Sequence, residues 1–261
     1  MAENLRISMI QTPILWENRD GNLAYFGRML QRIEGKTDLA VLPETFTTGF
    51  SMNVEALGDK VDGVTVSTLK AWAEKYQIAI AGSFIAKVGK AYFNRGFLVT
   101  PNGETNFYDK RHLFRMSGEA DHYTPGKKLV ITSYKGWNIC LQICYDLRFP
   151  VWSRNVDNKF DLLIYVANWP AARHLAWTSL LPARAIENLA YVCGVNCIGI
   201  DGLGFEYKGG SAIYSPKGEK LTDTGTRKEF IRTFAIEIEP LERLRSKFPA
   251  WKDADSFILR P

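Results

Sequence analysis

The chain has 261 residues, of which 46% are hydrophobic, 23% charged and 13% aromatic, as expected for a globular protein rather than a disordered one. Its net charge of +5 comes from 33 Lys and Arg against 28 Asp and Glu, and no run of five basic residues occurs, so we expect no nucleic-acid partner. The longest apolar stretches have the length of a strand, far short of the roughly 20 residues that a bilayer helix needs, so we expect no membrane span.

The opening segment, MAENLRISMIQTP, carries the charged residues Glu3 and Arg6 and has neither an apolar h-region nor a small-residue cleavage site. We therefore expect no secretory signal and place the protein in the cytoplasm. The segment RISMIQT has the composition of a strand, and it is followed by a predicted helix over residues 18–33 and by the strand DLAVLPE. This order predicts a β-α-β unit.

Antiparallel strands are predicted next. A second helix, over residues 64–76, leads to the strands IAIAGSFIAKV, AYFNRGFLVTP and TNFYDK. Gly89 and the pair Asn102-Gly103 lie between these strands and are typical of turns.

The second half of the chain repeats the alternation of strands and helices. After a polar stretch over residues 111–128, the strands LVITSY and WNICLQICY flank Lys135-Gly136, and a short helix is expected near Pro150. The strand DLLIYVAN precedes the longest predicted helix, over residues 171–190. The remaining strands are YVCGVNCIGI, GGSAIYSP, GEKLTDT and EFIRTFAIEI, and PLERLRSKFP is the last helix.

Helices that fall between strands early and late, with hairpins in the middle, predict an α/β fold with mixed sheets and helices packed outside. No linker, repeat or shift in composition divides the chain. We therefore predict a single domain over residues 1–261, in which residues 250–261 form a C-terminal tail with Trp251 and Phe257 as anchors.

The four cysteines form two pairs with the same spacing, Cys140 with Cys144 and Cys193 with Cys197. They lie in apolar, strand-like runs rather than in the tight C-x-x-C turns of zinc sites, so we expect no metal. A cytoplasmic chain also argues against disulfides. Most of these thiols, Cys140 among them, are therefore expected to lie in the core.

Three reactive side chains come just where a predicted strand ends. Glu44 ends DLAVLPE, Lys110 ends TNFYDK, and Cys144 ends WNICLQIC. In open α/β sheets ligands bind outside the carboxyl ends of strands, because side chains converge there without entering the core. We therefore expect these three residues to share one site.

Cys144 is followed by YDLRFP, which predicts a sharp turn from strand to helix. The turn presents the sulfur beside backbone N–H groups that lack partners, Tyr145 among them, and such a site favours the thiolate. The same amides could hold the oxyanion of a tetrahedral intermediate, an effect of about 3 to 4 kcal/mol per donor.

Glu44 and Lys110 supply what a thiol nucleophile needs. A thiol of pKa about 8.5 reacts slowly at neutral pH unless a base or a positive charge lies nearby. Glu44 would take the thiol proton and pass it to the departing ammonia, and Lys110 would stabilise the oxyanion.

A Cys-His protease is the nearest mechanistic alternative, because its base is an imidazole. The chain has three histidines. We expect a packing or hydrogen-bonding role for His112, a place in the pocket wall for His174 at the start of a helix, and solvation for His122.

Three segments resemble the signature segments of the nitrilase, or carbon-nitrogen hydrolase, superfamily: VLPETFTTGF around Glu44, FYDKRHLF around Lys110, and ICYDLRFPVWSRN around Cys144. They occur in the same order, and the resemblance covers essentially the whole chain. With VANWPAARHLAW, LPARAIENLAYVCGVN and KFPAWKDAD, the sequence is most similar to the omega-amidases, which hydrolyse 2-oxoglutaramate.

The resemblance implies a four-layer α-β-β-α sandwich, a homodimer paired across a helical face, a Glu-Lys-Cys triad and no cofactor. These roles correspond to Glu44, Lys110 and Cys144. It also implies a second active-site glutamate six residues before a Pro-Gly, which here is Glu119.

Recognition of a substrate carboxylate requires a cation near the pocket, and bidentate Arg serves best. Arg148 and Arg173 are the candidates. Arg148 belongs to the DLRFP stretch, which favours a role in fixing the loop, so we prefer Arg173. The aromatic residues Phe50, Phe114, Tyr145 and Trp169 could close the pocket and exclude water.

The predicted function is hydrolysis of the terminal amide of 2-oxoglutaramate or 2-oxosuccinamate through a cysteine thioester. Pocket shape, which the motifs do not fix, leaves open an amidase or N-carbamoyl hydrolase acting on another small amide. A non-catalytic binding protein on the same fold and a nitrile hydrolase are the remaining alternatives.

Overall fold

The computed structural model describes residues 4–259. Residues 1–3 and 260–261, and with them Glu3, belong to the predicted domain but lie outside the described residues. The prediction of one domain over 1–261 with a tail from residue 250 stays a prediction.

Fifteen strands and six helices lie within residues 4–259. The strands are β1 (Leu5–Gln11), β2 (Leu39–Val41), β3 (Asp59–Lys60), β4 (Ala79–Val88), β5 (Ala91–Val99), β6 (Thr105–Asp109), β7 (Ile131–Tyr134), β8 (Trp137–Ile143), β9 (Leu162–Ala167), β10 (Tyr191–Asn196), β11 (Ile198–Ile200), β12 (Glu206–Lys208), β13 (Ala212–Tyr214), β14 (Lys220–Asp223) and β15 (Phe230–Ile236). The helices are α1 (Arg19–Gln31), α2 (Val54–Leu57), α3 (Val64–Tyr76), α4 (Glu119–His122), α5 (His174–Asn188) and α6 (Ile238–Lys247). None of the helices in this part of the chain is long and apolar enough to span a bilayer.

The strands form two mixed sheets and a separate hairpin. The first sheet has the order β15-β1-β2-β4-β5-β6, with β3 paired to β4, and the second has the order β14-β13-β10-β9-β8-β7. Strands β1, β2 and β4 run parallel, as do β8, β9 and β10, and the short β3 also pairs with β4 in parallel. The remaining strands of the two sheets pair antiparallel with their neighbours. Strands β11 and β12 form a two-stranded hairpin, and Tyr207 of β12 also forms an isolated antiparallel bridge with Pro170.

The alternation of side chains along the strands builds the layers. On β9, Leu162, Ile164 and Val166 enter the core between the two sheets, whereas Leu163 and Tyr165 face α5. The same core between the sheets receives every second residue of β1. A further apolar cluster lies between the first sheet and helices α1 and α3. The four-layer α-β-β-α sandwich is therefore confirmed.

The prediction of a helix near Pro150 is wrong. A 3-10 helix over Cys144–Arg148 comes earlier, directly after β8, and residues that follow Pro150 form turns. The carboxylate of Asp146 accepts a hydrogen bond from the N–H of Ile143 and so starts the helical turn at once. Phe149, the residue before Pro150, has non-helical angles (φ −116°, ψ 85°), and this ends the turn.

Other boundaries also differ from the prediction. Strand β2 ends at Val41, three residues before Glu44, and the run YVCGVNCIGI divides at Cys197 into β10 and β11. Strands β3 and β12 and helix α2 were not predicted, because segments of two to four residues carry too little periodicity. In the tail, Trp251 and Phe257 line a surface groove together with the segment 154–157.

Candidate active site

The three predicted reactive residues come from both sheets. Glu44 lies in the turn after β2, and Lys110 directly follows β6, both in the first sheet. Cys144 directly follows β8 in the second sheet. The site therefore lies at one end of the seam between the two sheets.

Lys110 lies between two carboxylates. Its Nζ is 3.0 Å from Glu44 Oε1 and 2.9 and 3.0 Å from the two oxygens of Glu119. All three side chains are fully buried. Nζ also lies 5.0 Å from the centre of the Phe50 ring. A buried ammonium that donates to two carboxylates has a fixed position. An N–H of Lys110 that the carboxylates do not use can therefore donate to a ligand in one direction only.

Glu44 is held by two asparagines. Asn94 Nδ2 donates to its Oε1 at 2.7 Å, and the backbone N–H of Asn168 donates to its Oε2 at 2.7 Å. Asn168 Nδ2 also donates to the backbone carbonyl of Glu44 at 3.0 Å. Glu44 is therefore a carboxylate with a defined orientation rather than a mobile surface group.

Glu119 begins helix α4, where Gly118 takes a positive φ of 78° that allows the sharp entry into the helix. Besides Lys110, its carboxylate accepts the backbone N–H of Phe114 at 2.5 Å. The structure thus brings the predicted second glutamate into direct contact with the predicted lysine.

Cys144 has a φ of 44°, an unfavourable conformation for a residue with a Cβ. It opens the 3-10 helix Cys144–Arg148, whose first N–H groups, that of Tyr145 included, have no partner within the helix. The predicted sharp turn after the nucleophile is present, although it is a 3-10 turn.

The surroundings of Cys144 oppose the thiolate that its turn is predicted to favour. The pKa of the Cys144 thiol is raised well above its ordinary value, first by burial and then by the negative charges of Glu44 and Glu119. Lys110 opposes this shift but does not overcome it. Burial and the two carboxylates together outweigh the ammonium of Lys110 and favour the neutral thiol over the thiolate.

The neighbouring carboxylates stabilise the protonated, charged form of Lys110. Burial lowers its pKa, but Glu119 and Glu44 outweigh burial and raise the pKa well above its ordinary value, so the ammonium stays protonated. Burial and the charge of Glu44 raise the pKa of Glu119, and Lys110 and the Phe114 N–H oppose that shift.

Cys144 and Lys110 line a cavity of about 450 Å³. All four predicted aromatic residues, Phe50, Phe114, Tyr145 and Trp169, also line it, together with Arg148 and Arg173. The volume suits a small ligand.

The two predicted arginines stand on aromatic rings in this cavity. The Arg173 guanidinium lies 5.1 Å from the centre of the Phe114 ring, and that of Arg148 lies 5.2 Å from the centre of the Trp169 ring. Neither guanidinium is paired with a carboxylate among residues 4–259. The carboxylate of Asp201, also in the cavity wall, is occupied by Tyr207 and two backbone N–H groups of its own loop.

The histidines do not reach the sulfur. His112 Nδ1 lies 2.8 Å from Asp146 Oδ1 and its ring stacks on Phe149 at 3.7 Å, which confirms the packing and hydrogen-bonding role. His122 is exposed, as expected. The placement of His174 in the pocket wall is wrong, because its ring packs against Gly210 and away from the cavity.

Sequence reasoning missed the polar residues that hold the site, Asn94, Asp146 and Asn168. Asn94 and Asn168 are polar residues at strand positions within or next to apolar runs, and this is the signal that could have found them. Cys140, Cys193 and Cys197 are buried, as predicted. Residues 4–259 contain no group of three or more His, Cys, Asp or Glu arranged to hold a metal.

Comparison with known proteins gives consistent relatives. The family model for carbon-nitrogen hydrolases matches residues 6–246. Omega-amidase YafV of Escherichia coli is 46% identical over 98% of both chains, and 2-oxoglutaramate amidase of Bacillus subtilis is 30% identical over 95% of this chain and 96% of the relative. XC1258 from Xanthomonas campestris, a CN-hydrolase superfamily protein with an arsenic adduct in its active site, superposes with a TM-score of 0.96 at 41% identity, over 99% of this chain and 100% of the other.

Proposed function

This chain belongs to the carbon-nitrogen hydrolase family, and from that premise we propose that it is an omega-amidase. The substrate would be 2-oxoglutaramate or 2-oxosuccinamate, and the products the 2-oxo dicarboxylic acid and ammonia. The observation that carries the proposal is the buried Glu44–Lys110–Glu119 cluster beside Cys144, at a cavity whose wall holds two unpaired arginines among the described residues. Relatives named omega-amidase and 2-oxoglutaramate amidase support it.

In the first half of the reaction, Cys144 attacks the amide carbon. Glu44 takes the thiol proton as the S–C bond forms, because a thiol with a raised pKa loses its proton only to a base in contact with it. Lys110 and the N–H of Tyr145 stabilise the oxyanion. When the oxyanion collapses, the C–N bond breaks, the nitrogen receives the proton from Glu44, and ammonia leaves the thioester.

In the second half, Glu44 takes a proton from a water molecule as the water oxygen attacks the thioester carbon. The S–C bond then breaks, the proton returns to sulfur, and the acid departs. Glu119 contacts Lys110 through both oxygens, so we assign it to holding Lys110 in place through both halves. Each proton transfer moves one charge between Glu44 and the reacting atoms, so the total charge of the cluster together with Cys144 and the substrate stays the same, which keeps its burial tolerable.

Recognition of the far carboxylate is assigned to Arg173, with Arg148 as the second cation. Both present a guanidinium to the cavity, and both rest on a ring, Phe114 or Trp169, that limits their movement.

We further propose a cytoplasmic homodimer. Its support is the outer face of α5, where Leu175 and Ile186 expose apolar side chains; light scattering of the purified protein measures the mass.

The test is ammonia release from 2-oxoglutaramate, L-glutamine and a neutral aliphatic amide by the purified protein and its Cys144→Ala variant. We expect fast turnover of the oxo-acid amide and none by the variant. Faster turnover of the neutral amide would replace the omega-amidase assignment by a general amidase. A protein that hydrolyses none of them, and whose Cys144 does not react, would be a binding protein.

A further inference from the structure

We propose that Asp146 is a positioning residue, whose carboxylate fixes the turn that bears Cys144 against the segment that bears Lys110. Asp146 does not line the cavity and contacts neither reactive atom. The inference rests on the cysteine chemistry proposed above but not on the identity of the amide.

Both oxygens of Asp146 are fully used, and the side chain is completely buried. Oδ2 accepts the N–H of Ile143 at 3.1 Å and the hydroxyl of Tyr108 at 2.7 Å. Oδ1 accepts the backbone N–H of His112 at 2.9 Å and lies 2.8 Å from His112 Nδ1, which therefore carries a proton. Four donors thus converge on one carboxylate, and an amide could not accept all of them.

The bond to Ile143 acts on Cys144 from the preceding residue. A positive φ at a residue with a Cβ costs on the order of 1 to 3 kcal/mol and persists only where the surroundings hold it. Asp146 lies two residues after Cys144 and Ile143 one residue before it, and the hydrogen bond between them closes the turn around Cys144. The turn therefore cannot relax unless this bond breaks. The orientation of the sulfur and of the Tyr145 N–H follow from the same turn.

The bonds to Tyr108 and His112 act on Lys110. These two residues lie two positions before and two positions after Lys110, so both flanks of the lysine are tied to the same carboxylate. Trp152 Nε1 donates to the Tyr108 hydroxyl at 2.9 Å, which adds a second contact between the two segments. Asp146 therefore sets the distance between the nucleophile and the ammonium, which come from different sheets.

A matched control exists at the opposite end of the sheets. Asp38 is also buried and also joins the two sheets, because it accepts hydrogen bonds from Arg6 at 2.9 Å and from Lys135 at 2.7 Å. It contributes nothing to the cavity. Each aspartate accepts four hydrogen bonds, and replacing either one by asparagine weakens a buried link between the sheets, but only Asp146 lies beside the site.

The experiment compares Asp146→Asn with Asp38→Asn by two readouts, kcat and KM for 2-oxoglutaramate and the rate at which iodoacetamide alkylates Cys144. Since a misplacement of about 1 Å can cost about 100-fold in rate, we expect Asp146→Asn to lower kcat roughly 30- to 100-fold with KM changed less than about threefold. Alkylation should slow as well. Asp38→Asn should lose stability and keep both rates.

A folded Asp146→Asn protein with kcat and alkylation within about threefold of the parent overturns the proposal. If that variant does not fold, Tyr108→Phe replaces it, since it removes one donor and leaves the carboxylate; unchanged rates there overturn the proposal equally. Alkylation needs no amide substrate. A parent protein that alkylates normally but releases no ammonia therefore refutes the omega-amidase assignment alone.

Discussion

Asn168 contacts Glu44 in two ways: its backbone N–H donates to Glu44 Oε2 at 2.7 Å, and its side-chain Nδ2 donates to the Glu44 backbone carbonyl at 3.0 Å. Asn168 follows β9 of the second sheet, whereas Glu44 follows β2 of the first. The pair fixes Oε1 toward Lys110 and joins the two sheets at the site.

Replacing Asn168 by Ala should lower kcat about 10-fold, because Glu44 keeps the backbone bond and loses the side-chain bond that orients its main chain. Steady-state kinetics with 2-oxoglutaramate measures the effect. Asn155→Ala is the matched control, since Asn155 is a buried asparagine whose partners are Phe160 and Asn188, away from the cavity. Full activity of Asn168→Ala would show that Glu44 needs no support from this side chain.

Lys110→Met should inactivate the protein and destabilise it by about 3 to 5 kcal/mol, because two buried carboxylates then face each other without a partner. Without Lys110 to oppose them, burial and the charge of Glu44 raise the pKa of Glu119 in the folded state above its unfolded value. The folded state therefore binds more protons, and stability falls as the pH rises from 5 to 8. Urea denaturation at both pH values measures this.

Adding Glu119→Gln to Lys110→Met should restore part of the lost stability, since it removes one of the two charges. Lys128→Met, at an exposed position, is the control and should leave the free energy of unfolding unchanged. A Lys110→Met protein that is equally stable at pH 5 and 8 contradicts the arrangement of charges described here.

Alkylation of Cys144 by iodoacetamide should keep accelerating above pH 9, because burial and two carboxylates raise the pKa of the thiol. Glu44→Gln removes one of these charges, so its alkylation profile should shift to lower pH although its amidase activity is lost. Mass spectrometry identifies the labelled residue, and the other three cysteines are buried. A parent profile that is already flat at pH 7 would mean a resting thiolate.

Arg173→Ala should raise KM for 2-oxoglutaramate about 10- to 100-fold and leave a neutral aliphatic amide nearly unaffected, because the lost interaction is a charge-assisted hydrogen bond. Arg148→Ala is the matched variant and should have the smaller effect. If Arg148→Ala has the larger one, the two assignments exchange. If both variants prefer 2-oxoglutaramate over the neutral amide as strongly as the parent does, the substrate carboxylate is bound elsewhere.

Strand periodicity and strand ends carried most of what could be predicted. Leu5, Ile7 and Met9 recur at every second position of β1 because one face of that strand meets the other sheet. Glu44, Lys110 and Cys144 stood out because reactive side chains at strand ends are not consumed by packing. Local pattern thus identified the residues that the structure brings together.

What the sequence could not supply depends on distant contacts. Asn94 lies 50 positions from Glu44, so its role becomes visible only once β5 is placed beside β4 and the site. The raised pKa of Cys144 depends on burial and on two carboxylates that are distant in sequence, Glu44 in the turn after β2 and Glu119 at the start of α4. The prediction of a helix near Pro150 failed because Asp146 starts a 3-10 helix at Cys144, directly after β8 and six residues before Pro150.

The position of the site between the two sheets determines how activity is lost. Glu44 and Lys110 move with one sheet and Cys144 with the other, so the reactive constellation exists only while the central core holds the sheets in register. Any opening that hydrates this core also separates base from nucleophile. We therefore expect turnover to be lost when the core between the sheets opens, whereas fraying of α1 or α3, which contribute no residue to the cavity, should leave catalysis intact.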